Sequence, residues 1–359
     1  MTEQDFIPKP YKESPKNGIV SYQSPSNIAL VKYWGKHGEQ LPENASISFT
    51  LSNCHTQTEL HFEEKTGNDF DFEVFLDGNK EVGFEPKIHN FFERVESYLP
   101  FLRKYRFVIK TSNSFPHSSG IASSASGMSA LALCLLEMER SMIEGEIRED
   151  YFNKKASFLA RLGSGSASRS IEGPIVVWGV HPYIVGSTNL YSVKFEGNVH
   201  KNFENYQDSI LLVDKGEKQV SSTVGHNLMH NHPYAQQRFV TANENLSKLT
   251  VVLASGDLSE FIKIVESEAL QLHAMMMSSR PYFILMKPNT LEIINRIWVY
   301  RKATKSKLCF TLDAGANVHV LYPKSEKEIV KAFIQAELAP YCKNGEFILD
   351  ETGLGALKL

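Results

Sequence analysis

The chain has 359 residues, 42% of them hydrophobic and 22% charged; that suits two cored domains or one large one and excludes a disordered or fibrous chain. A formal net charge of -3 offers no general attraction to nucleic acid or to an anionic membrane, so any positive site must be built from particular Lys and Arg residues. The longest apolar runs, 130–136 and 175–179, fall short of the ~18 residues of a spanning helix, and the acidic opening Met1-Thr2-Glu3-Gln4-Asp5 is unlike a signal peptide, so a cytoplasmic protein is expected.

Residues 1–18, rich in Pro and Lys and without periodicity, predict an extended arm over the surface. Strand-like or alternating runs predict strands over 18–33, 47–51, 58–63 and 70–76. With Asp77-Gly78-Asn79-Lys80 as a hairpin turn, the first eighty residues read as a β meander. Apolar residues at Ile88, Phe91, Phe92, Val95 and Leu99 predict a helix over 86–102, and Phe107 opens another strand. A loop of small residues, 116–127, runs straight into the apolar segment 128–138, which reads as a buried helix. Another helix is expected over 148–162, and a Gly-bounded buried strand over 173–180.

The polar stretch 197–205 closes the first domain, giving domains 1–205 and 206–359. The second begins with a strand at 210–213. Helical patterns follow over 233–254, 257–277 and 290–302. A strand, turn, strand unit occupies 308–322, and a last amphipathic helix covers 326–338. Strands and helices interleave without a regular βαβ rhythm, so the fold class is α+β. Cys54, Cys134, Cys309 and Cys342 show no paired spacing and lie beside apolar residues, the pattern of buried free thiols in a reducing compartment.

The chemistry concentrates in a few stretches. Pro116-His117-Ser118-Ser119-Gly120-Ile121-Ala122-Ser123-Ser124-Ala125-Ser126-Gly127 lets a backbone approach an anion closely, with the free N–H groups and positive end of a helix facing it. It reads equally as a Ser/Gly turn capping a core helix, since no Lys follows as in a P-loop. Asp313, at the end of an apolar strand entering the turn Ala314-Gly315-Ala316-Asn317, suits a general base or an Asx-turn. Lys32 and Lys36 flank Tyr33-Trp34-Gly35, where a fixed ammonium could hold phosphate while a ring packs on an organic moiety; an exposed Lys beside a core Trp explains the same residues. Arg169 stands among Ser164, Ser166, Ser168 and Ser170, a donor-only cluster that matches a carboxylate or phosphate. Ser221-Ser222-Thr223 adds a further donor cluster. His226, His230 and His232 are too weakly spaced for a metal site and read as surface or substrate-rim residues.

Taken in order, these stretches resemble the diphosphomevalonate decarboxylase family of the GHMP small-molecule kinase superfamily. The resemblance runs from about Ser26 to Leu321. It rests on Asn27-Ile28-Ala29-Leu30-Val31-Lys32-Tyr33-Trp34-Gly35-Lys36, on Leu41-Pro42-Glu43-Asn44-Ala45-Ser46-Ile47-Ser48, on Gly120 to Gly127, on Gly163 to Ser170, on Ser221 to Gly225, on Leu272-His273-Ala274 and on Thr311 to Asn317. It implies a ribosomal-S5-type N-terminal domain and a ferredoxin-like C-terminal domain flanking a cleft.

The same resemblance implies an enzyme that uses ATP and Mg2+ to phosphorylate (R)-5-diphosphomevalonate and then release phosphate and CO2 to give isopentenyl diphosphate; the alternative is a kinase of the same superfamily that acts on mevalonate or a phosphomevalonate and stops at phosphate transfer. By match, Asp313 would be the base, Lys36 would neutralise charge near it, and Arg169 would orient the substrate carboxylate. Tyr33, Trp34, Gly35, Ser164, Gly165, Ser166, Ala167, Ser168, Ser222, Thr223 and His226 would surround the substrate. Ser118, Ser119, Gly120, Ser123, Ser124 and Ser126 would line the ATP phosphates, with Ser124 on Mg2+. Where the family usually has Met this chain has His226, which bears on substrate choice. A homodimer is implied as well.

Overall fold

The computed structural model describes residues 1–116, 121–214 and 222–359, with Ser222 and Thr223 described in backbone only. Expectations resting on the side chains of Ser118, Ser119, Ser221, Ser222 and Thr223, and on Gly120, lie outside that description.

In chain order the elements are β1 (Asn17–Val31), β2 (Lys36–His37), β3 (Leu41–Pro42), β4 (Ser46–Glu64), β5 (Asp71–Leu76), β6 (Asn79–Lys80), α1 (Glu85–Val95), β7 (Tyr105–Asn113), α2 (Ser123–Arg140), α3 (Glu149–Gly163), β8 (Ile175–Trp178), β9 (Ser192–Lys194) and β10 (Gln207–Leu211). There follow α4 (Ser222–Asn227), α5 (Ala235–Ser255), α6 (Leu258–Met277), α7 (Pro288–Thr304), β11 (Cys309–Thr311), β12 (Val318–Tyr322), α8 (Lys327–Phe333), β13 (Phe347–Glu351) and β14 (Leu357–Lys358). A 3-10 turn, Gly165–Ser170, follows α3 directly.

The larger sheet runs β14-β1-β4-β7-β5-β6, with β8 on β4 and β9 on β8. It is no meander. The two strands expected at 47–51 and 58–63 are one continuous strand, β4, which pairs β1 along its length. The first half of β4 also pairs β8, and the second half pairs β7. Burial explains why the sequence reads as two pieces. Residues 46–51 are buried on both faces, whereas Cys54, Thr56, Thr58, Leu60 and Phe62 alternate with solvent-facing neighbours, so the period changes within one strand. The β5–β6 hairpin forms where the turn signal stood, pairing Leu76 with Asn79, but β5 runs parallel to β7. That arrangement needs the crossover that α1 provides.

The smaller sheet, β11-β12-β10-β13, is antiparallel throughout. One core lies between the large sheet and helices α1, α2 and α3, and α2 is buried nearly all round. A second core joins the two halves of the chain. Ile28, Leu30, Phe49 and Leu51 of the large sheet meet Leu246, Leu249, Phe261 and Val265 of α5 and α6 there. The N-terminal arm is not merely draped on the surface: Phe6 is fully buried and stacks on Phe158 at 4.5 Å. All four cysteines are buried and free, and no helix among the described residues is long and apolar enough to cross a membrane.

Candidate active site

The end of β1 and the turn after β11 bring two residues together from opposite halves of the chain. Lys32 Nζ lies 3.0 Å from Asp313 Oδ1. The lysine side chain is 3% exposed and the aspartate 30%, so the ammonium is sunk in protein while the carboxylate still faces the open side. Burial pulls the Lys32 pKa down and Asp313 pulls it back up, the two opposed effects expected of an ion in a low-dielectric pocket. Behind the carboxylate, His273 Nε2 sits 3.1 Å from the Asp313 carbonyl. Burial lowers the His273 pKa to about 4, so the neutral ring donates to that carbonyl and fixes the turn.

Lys36, the lysine expected near Asp313, has another described partner. Its Nζ donates to Gln40 Oε1 at 3.0 Å within the β2–β3 hairpin. The reason lies in Gly35, whose φ of +103° turns the chain after Trp34, so that the two lysines flanking Tyr33-Trp34-Gly35 leave on different courses. A Cβ at Gly35 would stand 2.8 Å from the Phe239 ring, so close packing and the left-handed backbone both call for glycine there.

Arg169 is buried at the end of the 3-10 turn after α3. It donates to Ser46 Oγ at 2.7 Å and lies over the rings of Tyr33 and Trp178 at 5.7 and 5.8 Å. Burial pushes its pKa down to about 10, against the pull of Tyr33 and Asp313. Asp313, Lys32 and Arg169 therefore share one electrostatic neighbourhood. The serines around Arg169 divide. Ser164 is partly exposed, and its hydroxyl comes within 3.5 Å of Ser124 Oγ on α2. Ser168 turns inward to the Gly165 carbonyl, Ala167 is in the core, and Ser166 offers its carbonyl to Asn27. A Cβ at Gly165 would meet Tyr33 Oη at 2.7 Å and the Trp178 ring at 2.8 Å, so its part is to let the Tyr33 ring approach.

His226 completes an aromatic wall. Its ring stacks on Tyr33 at 4.3 Å and leans on Trp34 at 4.5 Å. The Gly35 N–H donates to His226 Nδ1 at 3.0 Å, which places the proton of the neutral ring on Nε2. Burial, with Lys36 and Arg169 adding to it, pushes its pKa down to about 3. The imidazole is thus a fixed neutral donor near physiological pH. Gly225, one residue earlier, lets α4 press against Trp34: a Cβ there would stand 2.6 Å from the indole ring. His232 belongs to none of this, since it is occupied by the Met275 carbonyl and the Tyr234 N–H.

Beside Ser164 opens a second compartment. The residue before α2, Ala122, is left-handed (φ 46°) and no side chain among the described residues caps the helix; the Ala125 and Ser126 N–H groups turn back to the Ala122 carbonyl, which leaves those of Ser123 and Ser124 at the helix start. Ser123 and Ser124 line a pocket with Thr56, Val74, Ile88 and Met128. Ser126 does not join them. Fully buried, it faces the sheet and bonds Thr56 Oγ1 at 2.6 Å. The apolar walls of this pocket come from β4, β5, β7, α1 and α2 together, which no single stretch of sequence reveals.

Comparison with known proteins follows the same outline. Residues 24–182 match the model of the diphosphomevalonate decarboxylase-like N-terminal domain, and residues 209–353 that of the mevalonate 5-diphosphate decarboxylase C-terminal domain. The diphosphomevalonate decarboxylase of Ganoderma lucidum is 29% identical over 339 residues, covering 88% of this chain and 82% of its own length. That of Rattus norvegicus is 25% identical over 363 residues, covering 94% and 84%. The crystal structure of mevalonate diphosphate decarboxylase from Staphylococcus aureus superposes with a TM-score of 0.81 at 27% identity, over 96% of this chain and 98% of that one. A solved structure of MDDEF in complex with MVAPP, AMPPCP and magnesium gives a TM-score of 0.80 at 26% identity, over 96% and 99%.

Proposed function

The chain belongs to the diphosphomevalonate decarboxylase family, and from that premise we propose that it converts (R)-5-diphosphomevalonate and ATP to isopentenyl diphosphate, ADP, phosphate and CO2. The observation that carries the reading is the Lys32–Asp313 pair at 3.0 Å, half-open to solvent on its acidic side and neighboured by a buried arginine.

In this reading Asp313 takes the proton of the tertiary 3-hydroxyl as its oxygen attacks the γ-phosphorus of ATP. Lys32, in place of Lys36, pairs with the carboxylate and holds it in register. Arg169 meets the substrate carboxylate, so that when the C–O bond to the new phosphate breaks, the C–C bond releases CO2 and its electron pair forms the double bond. Phosphoryl transfer leaves little covalent work to the protein, so charge placement must supply most of the rate. The carbon left electron-poor between those events tolerates no water. The close-set rings of Tyr33, Trp34 and His226 are suited to keeping it dry. We assign His226 Nε2–H and the hydroxyl of Ser164 to the substrate, along with Ser222 and Thr223.

A nucleotide would be held in the second compartment, whose apolar walls suit a base and whose Ser123 and Ser124 at the start of α2 suit phosphates; the family resemblance adds Ser118, Ser119 and Gly120 to that set. Mg2+ prefers oxygen ligands and is commonly carried on substrate phosphates, and the exposed hydroxyl of Ser124 fits one such ligand. When bound, the ion would neutralise phosphate charge. Within the chain we divide the work between residues 1–205 and 206–359, and we propose a cytoplasmic homodimer, to be checked by sedimentation and by cell fractionation.

Incubation with 5-diphosphomevalonate, ATP and Mg2+ should yield CO2 and ADP in equal amounts. ADP without CO2 would replace this reading with that of a kinase that stops at phosphate transfer. Binding of both ligands with neither product would leave a non-catalytic sensor.

A further inference from the structure

Lys32 reaches Asp313 only because its backbone is held, and the hold comes from a buried polar cluster in the other half of the chain. The Lys32 N–H donates to Glu268 Oε2 at 2.9 Å, and its carbonyl accepts from Asn44 Nδ2 at 3.0 Å and from Arg238 Nη2 at 3.3 Å. Glu268, on α6, is itself fixed from α5: Arg238 Nη2 donates to Oε2 at 2.5 Å and Asn245 Nδ2 to Oε1 at 2.7 Å. Glu268 is 0% exposed, Arg238 4% and Asn245 8%.

As a device for stability the cluster is poor. A buried ion pair seldom repays the cost of taking two charges out of water unless every donor and acceptor finds a partner. Here Arg238 Nε and Nη1 have none among the described residues. Glu268 Oε2 nonetheless accepts the peptide N–H of Lys32 as well as the Arg238 guanidinium. A carboxylate is a stronger acceptor for an amide than a carbonyl is, and here it is itself held by Arg238 and Asn245, so it fixes where β1 ends and hence where the side chain starts.

We propose that Glu268, oriented by Arg238 and Asn245, is a positioning residue that locks the Lys32 peptide and so sets the ammonium on Asp313. The inference rests on the function given above. It has an electrostatic corollary. Among the described residues, the charged groups around Lys32 are Asp313 on the turn after β11, Glu268 on α6, Arg238 on α5 and Arg169 after α3, with His273 of α6 close by and neutral. Burial lowers the Lys32 pKa, Asp313 and Glu268 raise it, and Arg169 lowers it. Removing Glu268 therefore loosens the Lys32 proton.

The test compares the wild type with Glu268→Gln, the charge-free pair Glu268→Gln/Arg238→Gln, Glu268→Asp and Asn44→Ala. Readouts are kcat and KM for 5-diphosphomevalonate and ATP across pH, with melting temperature alongside. If the wild type releases no CO2, the functional reading fails and the clamp is not what failed. Given an active wild type, the charge-free pair should lose kcat roughly tenfold to a hundredfold, as expected for misplacement on the order of 1 Å, with KM for ATP unchanged. Glu268→Gln should also move its alkaline limb to lower pH by about half a unit or more, whereas the charge-free pair, which removes the Arg238 cation as well, should move it less.

Glu268→Asp keeps the charge but not the reach, so its alkaline limb should stay near that of the wild type while kcat remains low. Asn44→Ala, which removes one anchor and no charge, should lower kcat without moving the limb. Should Glu268→Gln fail to fold for want of a partner to Arg238, the charge-free pair carries the test. Folded variants that keep the wild-type kcat and alkaline limb would overturn the proposal, as would variants that lose melting temperature alone.

Discussion

A carboxylate that must take a proton in one step and tolerate a lysine at 3.0 Å in the next is defined by that lysine. Asp313→Asn should lower kcat by about 10³-fold or more while ATP affinity stays near that of the wild type, measured by steady-state kinetics and nucleotide titration. Lys32→Met should cost kcat about 10²-fold, and Lys36→Met, whose ammonium turns to Gln40, distinctly less; the reverse order would return the neutralising role to Lys36. Tyr33-Trp34-Gly35 announced both lysines, but nothing in the residue types distinguishes them. The distinction is the turn at Gly35, and a left-handed glycine is visible only in three dimensions. His226 carries a prediction of its own. With the folded-state pKa pushed down to about 3, the unfolded chain binds the extra proton below its ordinary pKa of about 6.5. This stability is fully present above pH 6.5 and is lost as pH falls toward 3. His226→Met should therefore flatten the acid limb of urea-unfolding stability by up to about 1.4 kcal/mol per pH unit between pH 6 and 4. Parallel curves would mean that the imidazole is protonated in place.

Among the elements, α4 shows how a short helix can shape a site. It approaches Trp34 so closely at Gly225 that an added methyl would stand 2.6 Å from the ring. Gly225→Ala should cost about 1–3 kcal/mol of stability by overpacking and raise KM for the diphosphate substrate more than KM for ATP. Equal effects on both would mean a general loss of fold. Apart from α4, which the sequence offers only as a donor cluster, the helices were legible from periodic burial or, for α2, from an unbroken apolar run, most strands were legible too, and the Ser-rich stretch was legible as the opening of a helix. Which serines face outward was not. Ser123 and Ser124 line the pocket while Ser126 bonds Thr56, a split set by the left-handed residue Ala122 and the angle at which α2 enters. The merging of two predicted strands into β4 has a similar cause, since alternation appears only where one face is wet.

At the scale of the whole molecule, the two sheets are tied by more than the shared core. Asp350 of β13 accepts the N–H groups of Ser52, Asn53 and Cys54 in β4, at 2.9, 2.8 and 2.7 Å. Asp350→Ala leaves those amides without their acceptor and should cost about 2–4 kcal/mol. Unfolding followed separately by near-UV signal and by proteolysis would show whether the halves still melt together. The α+β class could be read from the interleaving of patterns. The return of the chain could not: β13 and β14 are short, and Leu357–Lys358 pair β1 of the first sheet without any alternation to announce it. Because the acid and its ammonium arise from different halves, neither half alone possesses a paired base. A protein cut in two between them would be silent until its pieces reassociate, and CO2 release would then serve as a gauge of assembly.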